Sequence, residues 1–383
     1  MYVAYRTYIA HAIATAPRGG GGARHTATLV TLANETMVDL LPDNVEAIQA
    51  FLREKGWIGS TTAVSSLAPA GEGNMNRTLR ATLDNTAEGS PVTFILKQSV
   101  PFVAKYPQIA APQDRLDVEA SFYGVAAASA DVQRYMPKML HYDNESNIMC
   151  LEDLGDGADM TAGYSRTGDV FNAQYRQALM KWLEYLHCID LDNSGKRDAF
   201  ANMEMRNLNA THIFDLPLAK DNGIDLDGFT SGLQKVAAAE YVGNANLIDQ
   251  SKRLHDIYIG KTNSNTGTYC LLHGDFYPGS FLSNDKTGVK IIDPEFAFWG
   301  PAEFDLGVFA AHCCFCGISM EEIDTALASY GRHFDRKLAL AFAGIELIRR
   351  LLGVAQLPLP ADTTLTMKEE WLKQGKEWLM NWN

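Results

Sequence analysis

Two short acidic motifs stand where apolar, strand-like runs end. His273-Gly274-Asp275 follows Tyr269–Leu272, and Asp293-Pro294-Glu295 follows Val289–Ile292, the second aspartate eighteen positions after the first. Carboxylates at strand or loop ends are where a cleft can use them. Phosphoryl transfer needs one carboxylate to orient the attacking hydroxyl and accept its proton, and others to hold Mg²⁺ against nucleotide phosphates. Asp275 suits the first role; Asp293 and Glu295 suit the second. Either motif alone would read as an acidic turn capping its own loop. The two together, in this order and at this spacing, point to a phosphotransfer site.

The first half of the chain supplies the complementary parts in the order a bilobal kinase requires. Gly71-Glu72-Gly73-Asn74-Met75-Asn76 lies between two strand-like runs, and glycine lets backbone N–H groups approach a phosphate closely. Lys97 ends the run Val92–Lys97, where an ammonium can reach nucleotide phosphates. Glu119, on the next predicted helix, is placed to hold it by an ion pair. Glu152-Asp153-Leu154 then forms a hinge, whose edge, at Glu152 and Leu154, would contact the nucleotide base. A hairpin glycine, a surface lysine and a surface glutamate are the ordinary readings of these residues taken singly.

These motifs carry a resemblance. Gly-x-Gly-Asn-x-Asn, Leu96-Lys97-Gln98 with Val100-Pro101, Glu152-Asp153-Leu154, His273-Gly274-Asp275 with Gly279-Ser280, and Asp293-Pro294-Glu295-Phe296-Ala297-Phe298 with Gly300-Pro301 together resemble the methylthioribose kinases. That family sits within the wider aminoglycoside phosphotransferase and choline kinase group, and the match runs from the first helix to the helix bearing Arg349-Arg350. The resemblance implies an ATP- and Mg²⁺-dependent enzyme, usually homodimeric, that phosphorylates the anomeric hydroxyl of 5-methylthioribose in methionine salvage. Carried over residue by residue, it makes Asp275 the base, Asp293 and Glu295 the metal ligands and Lys97 the phosphate-contacting lysine. The Gly71, Gly73, Asn74 and Asn76 loop covers the nucleotide, with Glu119 supporting Lys97. Arg349 and Arg350 match an arginine pair that handles sugar and phosphoryl group. Neighbours on a helix point about 100° apart, so one of the two could face solvent; yet guanidiniums inside the apolar stretch Ile345–Leu352 are costly to bury without an anionic partner.

Three sites depart from these patterns. Ser280 stands where the wider group has asparagine, a change the methylthioribose kinases share. Tyr277-Pro278 replaces the His-Thr type pair that the methylthioribose kinases more usually have beside the substrate hydroxyl, and Trp299 stands where tyrosine is common in them. These last two border the acceptor site and bear on which sugar fits, Tyr277 being placed against the substrate.

The elements that must position these residues give an α+β, bilobal protein-kinase-like fold. Val45 to Lys55 has helical spacing and stops at Gly56. Ala63–Leu67, Thr78–Leu83 and Val92–Lys97 read as an antiparallel meander, Asp117 to Ser129 as a helix, and Lys138–Tyr142 with Ile148–Leu151 as a hairpin. Helical patterns such as Phe171–Ile189 and Leu338–Leu352 dominate thereafter. The predicted division is an extension over 1–36 outside the fold, a nucleotide-binding lobe with hinge over 37–154, and a helical catalytic and substrate-binding lobe over 155–383. The first 34 residues hold Arg6, Arg18 and Arg24 but no Asp or Glu, and a run of four glycines at 19–22. Such a segment packs no core; it reads as an upstream start or an expression remnant rather than a transit peptide.

A net charge of -13 over 383 residues argues against a broad nucleic-acid surface, which needs clustered Lys and Arg. No apolar stretch is long enough to span a bilayer. The six cysteines lack a pair-and-pair metal spacing, Cys313, Cys314 and Cys316 included; they read as buried thiols of a reducing, cytoplasmic compartment. Two other readings follow from the same residues. A kinase of another small alcohol would draw a cationic acceptor to acidic segments such as Asp221–Asp227 or Glu321-Glu322 and Asp324. A catalytically idle nucleotide-binding scaffold would have no need of base, metal ligands and lysine at once.

Overall fold

The structure is a computed structural model and describes residues 38–382 apart from 72, 74, 168, 193–194, 263–268 and 285–287. The predicted extension over 1–36 and the loop residue Asn74 lie outside the described residues. Helix α1 (Val45–Glu54) buries Ile48, Phe51 and Leu52 and ends at Lys55, after which Gly56 takes φ +69°. Strands β1 (Ala63–Pro69), β2 (Arg77–Asp84) and β3 (Thr93–Gln98) follow. A short hairpin of β4 (Phe102–Val103) and β5 (Tyr106–Ala110) comes next, which the sequence pattern did not predict. Helix α2 (Arg115–Ala126), the single turn α3 (Ala130–Gln133), β6 (Met139–Asp143) and β7 (Ile148–Glu152) complete this half.

The expected meander and hairpin merge into one antiparallel sheet of order β1-β2-β3-β7-β6. Strand periodicity sorts its faces. Leu79, Ala81, Leu83, Phe94, Leu96, Ile148 and Cys150 pack with α1 in a small core. Ile95 and Lys97 have the opposite parity: Ile95 packs on the larger core and Lys97 pairs with Glu119 of α2. Helix α2 itself packs into the larger core, together with Met149 and Leu151, and lies against the turn at Pro294–Phe296. It bridges the sheet to the second half, which is why a residue on it can reach both.

Beyond the hinge come β8 (Ala158–Asp159), a 3₁₀ turn at Met160–Ser165, α4 (Ala173–His187), α5 (Met203–Ala210), a π-helical turn at Thr211–Asp215, α6 (Leu233–Glu240) and α7 (Ala245–Tyr258). Strand β9 (Tyr269–Leu272) pairs with β12 (Phe298–Pro301), and β10 (Phe281–Asn284) pairs with β11 (Gly288–Ile291) and β8. Helices α8 (Ala302–Phe315), α9 (Met320–Ala328), α10 (Arg336–Leu352) and α11 (Leu365–Met380) close the chain. Every residue of α10 from Leu338 to Leu352 is buried. Its backbone meets that of α11 at Gly344 and Gly375, where an added Cβ on either would lie 2.5–2.8 Å from the other's carbonyl oxygen.

All six cysteines are free, but they are not all buried: Cys188, just past the end of α4, is exposed, and Cys314 is partly so. Among the described residues no helix is long and apolar enough to cross a membrane.

Candidate active site

The His273-Gly274-Asp275 loop is held in place by a buried aspartate on α8. Asp305 accepts from the backbone N–H of His273 (2.7 Å) and of Gly274 (3.0 Å), and His187 Nε2 lies 3.4 Å from it. Gly274 has φ +85°, and a Cβ there would meet the carbonyl oxygen of Phe296 at 2.1 Å, so the tight turn requires glycine. His273 joins the two acidic motifs. Its Nε2 donates to the Ile292 carbonyl (2.9 Å), while Nδ1 accepts from the Asp275 N–H (3.4 Å). Burial lowers the pKa of its imidazole and keeps it neutral. Ser280 Oγ donates to the Asp275 carbonyl (3.0 Å), the backbone role that follows from a hydroxyl at this position.

The Asp275 side chain is mostly buried and faces α10. Arg350 Nη2 lies 3.1 Å and Arg349 Nη2 3.6 Å from its Oδ1. Burial raises the pKa of this carboxyl above the usual aspartate range, against the pull of Arg350 and Arg349. Both arginines are buried, so neither faces solvent, and both are paired with Glu346 one turn back: Arg349 through Nε and Nη2, Arg350 through Nε at 2.8 Å. Tyr277 lies under this cluster, its ring centroid 4.8 Å from the Arg350 guanidinium. Trp299, the other departure, is covered by Arg197 at 5.2 Å.

Lys97 crosses from the sheet to the second acidic motif. Its Nζ lies 2.7 Å from Glu119 and 2.8 Å from Asp293, a carboxylate half exposed in the cleft. Burial alone would lower the pKa of this ammonium; Asp293, Glu119 and Glu295 outweigh it and hold the pKa well above the usual lysine range. Two cations, Lys97 and the Arg115 guanidinium 3.7 Å from Glu295, among three carboxylates still leave excess negative charge. Burial, with Asp293 and Glu295 nearby, lifts the Glu119 carboxyl to about 7 despite Lys97, and burial raises Glu295 likewise. Asp293 itself has φ +61°, a left-handed conformation that a non-glycine residue holds only when its surroundings impose it.

Glu295 is tied to the glycine-bearing loop. Asn76 Nδ2 donates to its Oε2 (2.7 Å), and Asn76 Oδ1 accepts from Arg115 Nε (2.9 Å). Arg115 is fully buried and also donates to the carbonyls of Val100, Pro112 and Met75, tying the loop, the β4–β5 hairpin and Glu295 to one guanidinium. Breaking a buried charged hub of this kind costs about 3–5 kcal/mol. Arg115→Met is expected to lose that much, read as a drop in urea midpoint at unchanged m-value. Arg115→Lys is expected not to restore it, because an ammonium cannot reproduce the planar fork of donors.

A divalent cation fits this end of the cleft. The donors are hard carboxylate oxygens, and the proton affinity of Glu295 and Glu119, raised first by burial and then by the neighbouring carboxylates, would be relieved by a cation. Among the described residues no cluster of three or more His, Cys, Asp or Glu could hold a metal alone. Mg²⁺ is typically held by one or two carboxylates with nucleotide phosphates completing the shell, and Asp293 and Glu295 could be those two.

The structure thus gathers Asp275, Arg349, Arg350 and Tyr277 in one group, Lys97, Glu119 and Asp293 in a second, and Asn76 with Glu295 in a third. Gly71 (φ +76°) and Gly73 lie on the loop between β1 and β2. Glu152 ends β7 and accepts from the Lys138 N–H (3.0 Å). Asp153, between it and Leu154, is clamped by Arg80 at 2.8 Å. Four of the six carboxylates in the acidic segments weighed for a cationic acceptor are engaged elsewhere. Glu322 closes a capping box with Ser319 and pairs with Arg176, and Asp324 pairs with Arg336. Asp225 and Asp227 accept backbone N–H groups of Gly228 and Gln234. Sequence reasoning missed Arg115, Asp305, Glu346 and His312. Only Glu346 left a signal, its spacing of three and four from the arginine pair being that of helix ion pairs.

A family model for phosphotransferase enzymes matches residues 66–342. The methylthioribose kinase of Bacillus velezensis is 24% identical over 389 residues, covering 90% of this chain and 94% of that relative. That of Exiguobacterium sibiricum is 26% identical over 368 residues, covering 83% and 88%. Among solved structures, the AMP-bound spectinomycin phosphotransferase superposes with a TM-score of 0.51 at 14% identity, covering 88% of this chain and 98% of that one. The last likeness shows the fold.

Proposed function

The chain belongs to the phosphotransferase enzyme family, and on that footing we propose an ATP-dependent kinase whose acceptor is the anomeric hydroxyl of 5-methylthioribose. The observation that carries the reading is the reach of Lys97 across the cleft to Asp293, 196 positions away in the chain, with Glu119 behind it. A lysine for the phosphates and a carboxylate for the metal are thereby brought side by side, with Asp275 at the head of the neighbouring loop.

In this reading the glycine-bearing loop, with Gly71, Gly73, Asn74 and Asn76, lies over the nucleotide, and the hinge at Glu152 and Leu154 borders the base. Lys97 contacts the phosphates and Glu119 orients it. Asp293 and Glu295 would hold Mg²⁺, which when bound neutralises the phosphate oxygens. Asp275 accepts the proton of the attacking hydroxyl, and Arg349 and Arg350 balance charge on the transferring phosphoryl group, with Tyr277 flanking the acceptor. The nucleotide lobe spans 37–154 and the acceptor lobe 155–383. Free thiols throughout support a cytoplasmic setting. Two relatives named for methylthioribose, each matched over most of both chains, support that acceptor. The engagement of Asp225, Asp227, Glu322 and Asp324 elsewhere removes most of the acidic surface a cationic acceptor would use.

ADP release from ATP and Mg²⁺ is the test, with 5-methylthioribose, ribose, choline and an aminoglycoside as acceptors. Turnover on 5-methylthioribose at least about tenfold above the others, in kcat/KM, is the expected result, a tenfold ratio being about 1.4 kcal/mol of differential transition-state binding. Preferred turnover of choline or the aminoglycoside would retain the kinase and overturn the acceptor.

A further inference from the structure

Glu346 is 1% exposed and stands one turn before the arginine pair. Its Oε1 receives three donors: Arg350 Nε at 2.8 Å, Arg349 Nη2 at 2.9 Å and His312 Nε2 at 3.1 Å, while Oε2 receives Arg349 Nε. Behind it, His312 Nδ1 lies 2.7 Å from the Tyr164 hydroxyl. Both are fully buried.

Donor and acceptor roles in this chain follow from chemistry. The two guanidiniums hold Glu346 well below the usual carboxylate range despite burial, so it is ionised and can only accept. His312 Nε2 must then carry the proton. Burial, helped by Arg350, keeps that imidazole neutral down to about 4, so its Nδ1 is an acceptor and the Tyr164 hydroxyl must donate to it. The order runs one way: Tyr164 to His312 to Glu346, with Arg349 and Arg350 donating to Glu346 from the other side, Arg350 donating on to Asp275 and Arg349 facing it as an ion pair at 3.6 Å. Tyr277 packs against both ends, its ring 5.2 Å from that of His312 and 4.8 Å from the Arg350 guanidinium.

Neutralising two buried arginines would require a carboxylate, but not one whose own orientation is set by a histidine of fixed tautomer and a fully buried tyrosine. With Arg350 Nε occupied by Glu346, its Nη2 is the edge turned to Asp275. We propose that Glu346, oriented by His312 and Tyr164, is a positioning residue that sets the Arg349 and Arg350 guanidiniums against Asp275 and the transferring phosphoryl group. This rests on the kinase reading above.

The test combines kinetics with a measurement that does not need turnover. A misplacement of about 1 Å at a reacting group can lower rate about 10²-fold. Glu346→Gln is accordingly expected to lower kcat about 100-fold with KM for ATP and acceptor changed less than about threefold. Glu346→Asp, which keeps the charge, is expected to recover about tenfold of that. Tyr164→Phe, which removes only the far hydroxyl and one net hydrogen bond, is expected to lower kcat about fivefold. In protein carrying ¹⁵N-arginine, two slowly exchanging Nε–H resonances are expected from Arg349 and Arg350; both lose protection in Glu346→Gln and both shift in Tyr164→Phe.

A Glu346→Gln enzyme with near-normal kcat, or with only KM altered, overturns the proposal. So does Glu346→Asp no better than Glu346→Gln with a matching loss of thermal stability, or an absence of the two resonances. If the wild type turns over no acceptor while the resonances are present and respond to both variants, the kinase reading fails and the positioning of the guanidiniums stands.

Discussion

Asp275→Asn is expected to lower kcat about 10³-fold, within the 10²–10⁴-fold that a positioned general base supplies, while nucleotide affinity stays within about threefold. The amide keeps the shape of the side chain and an oxygen for the Arg350 contact at 3.1 Å, so the loop held by Asp305 is expected to fold as before. What disappears is the capacity to take a proton. A pH profile separates this from general damage. The groups facing this carboxyl are Arg350 and Arg349, which stabilise its charged form, Glu346, which opposes it, and His273; burial raises the pKa overall above 3.8. The base must be ionised to act, so wild-type kcat/KM falls as pH drops through that raised value. Residual activity of Asp275→Asn is expected to lose the share of this acid limb that Asp275 contributes, Glu119 and Glu295 keeping theirs, measured by ADP release across the pH range in which both proteins stay folded.

Lys97→Met is expected to act on activity and on stability at once. Removing one preorganised charge from the phosphates is worth about 10²–10³-fold in rate, read as kcat/KM for ATP. It also leaves Glu119, fully buried, facing Asp293 without its ion-pair partner, and breaking a buried pair in this way costs about 3–5 kcal/mol. The penalty depends on pH with a definite sign. Glu119 is already raised to about 7 from 4.5, with Lys97 the main influence opposing burial; without Lys97 it rises further. The folded variant then keeps a proton that the unfolded chain gives up at ordinary carboxylate pH, so its stability declines as pH rises from 4.5 through 7. Adding Glu119→Gln is expected to restore stability and leave activity lost. Chemical denaturation of the two variants at about pH 5 and 8 checks both statements.

Much of the fold was legible because its periodicities are strong. Leu79, Ala81 and Leu83 alternate on one face of β2, and Ile48, Phe51 and Leu52 have the spacing of one helix face; each predicted strand and helix is present with its ends moved by a few residues. The β4–β5 hairpin was not legible, since Pro101 and Pro107 interrupt any alternation and Val103, Ile109 and Ala111 form only a satellite cluster. In the site, the chain order of Lys97, Glu119, Asp275, Asp293 and Glu295 was visible because the motifs lie in single short segments. Arg115, Asp305 and His312 were hidden for the opposite reason. Each owes its place to partners far along the chain, Asn76, His273 and Tyr164 respectively, and a lone charged residue at a helix start or a histidine among cysteines carries no pattern of its own.

The most direct measurement is the identity of the product. Purified protein with ATP, Mg²⁺ and 5-methylthioribose, followed by ³¹P and ¹³C NMR, is predicted to give a phosphomonoester coupled to the anomeric carbon, formed by the wild type and not by Asp275→Asn over the same time. A phosphate on any other hydroxyl, or equal product from the Asp275→Asn enzyme, would contradict the assignment of Asp275 as the base for that acceptor.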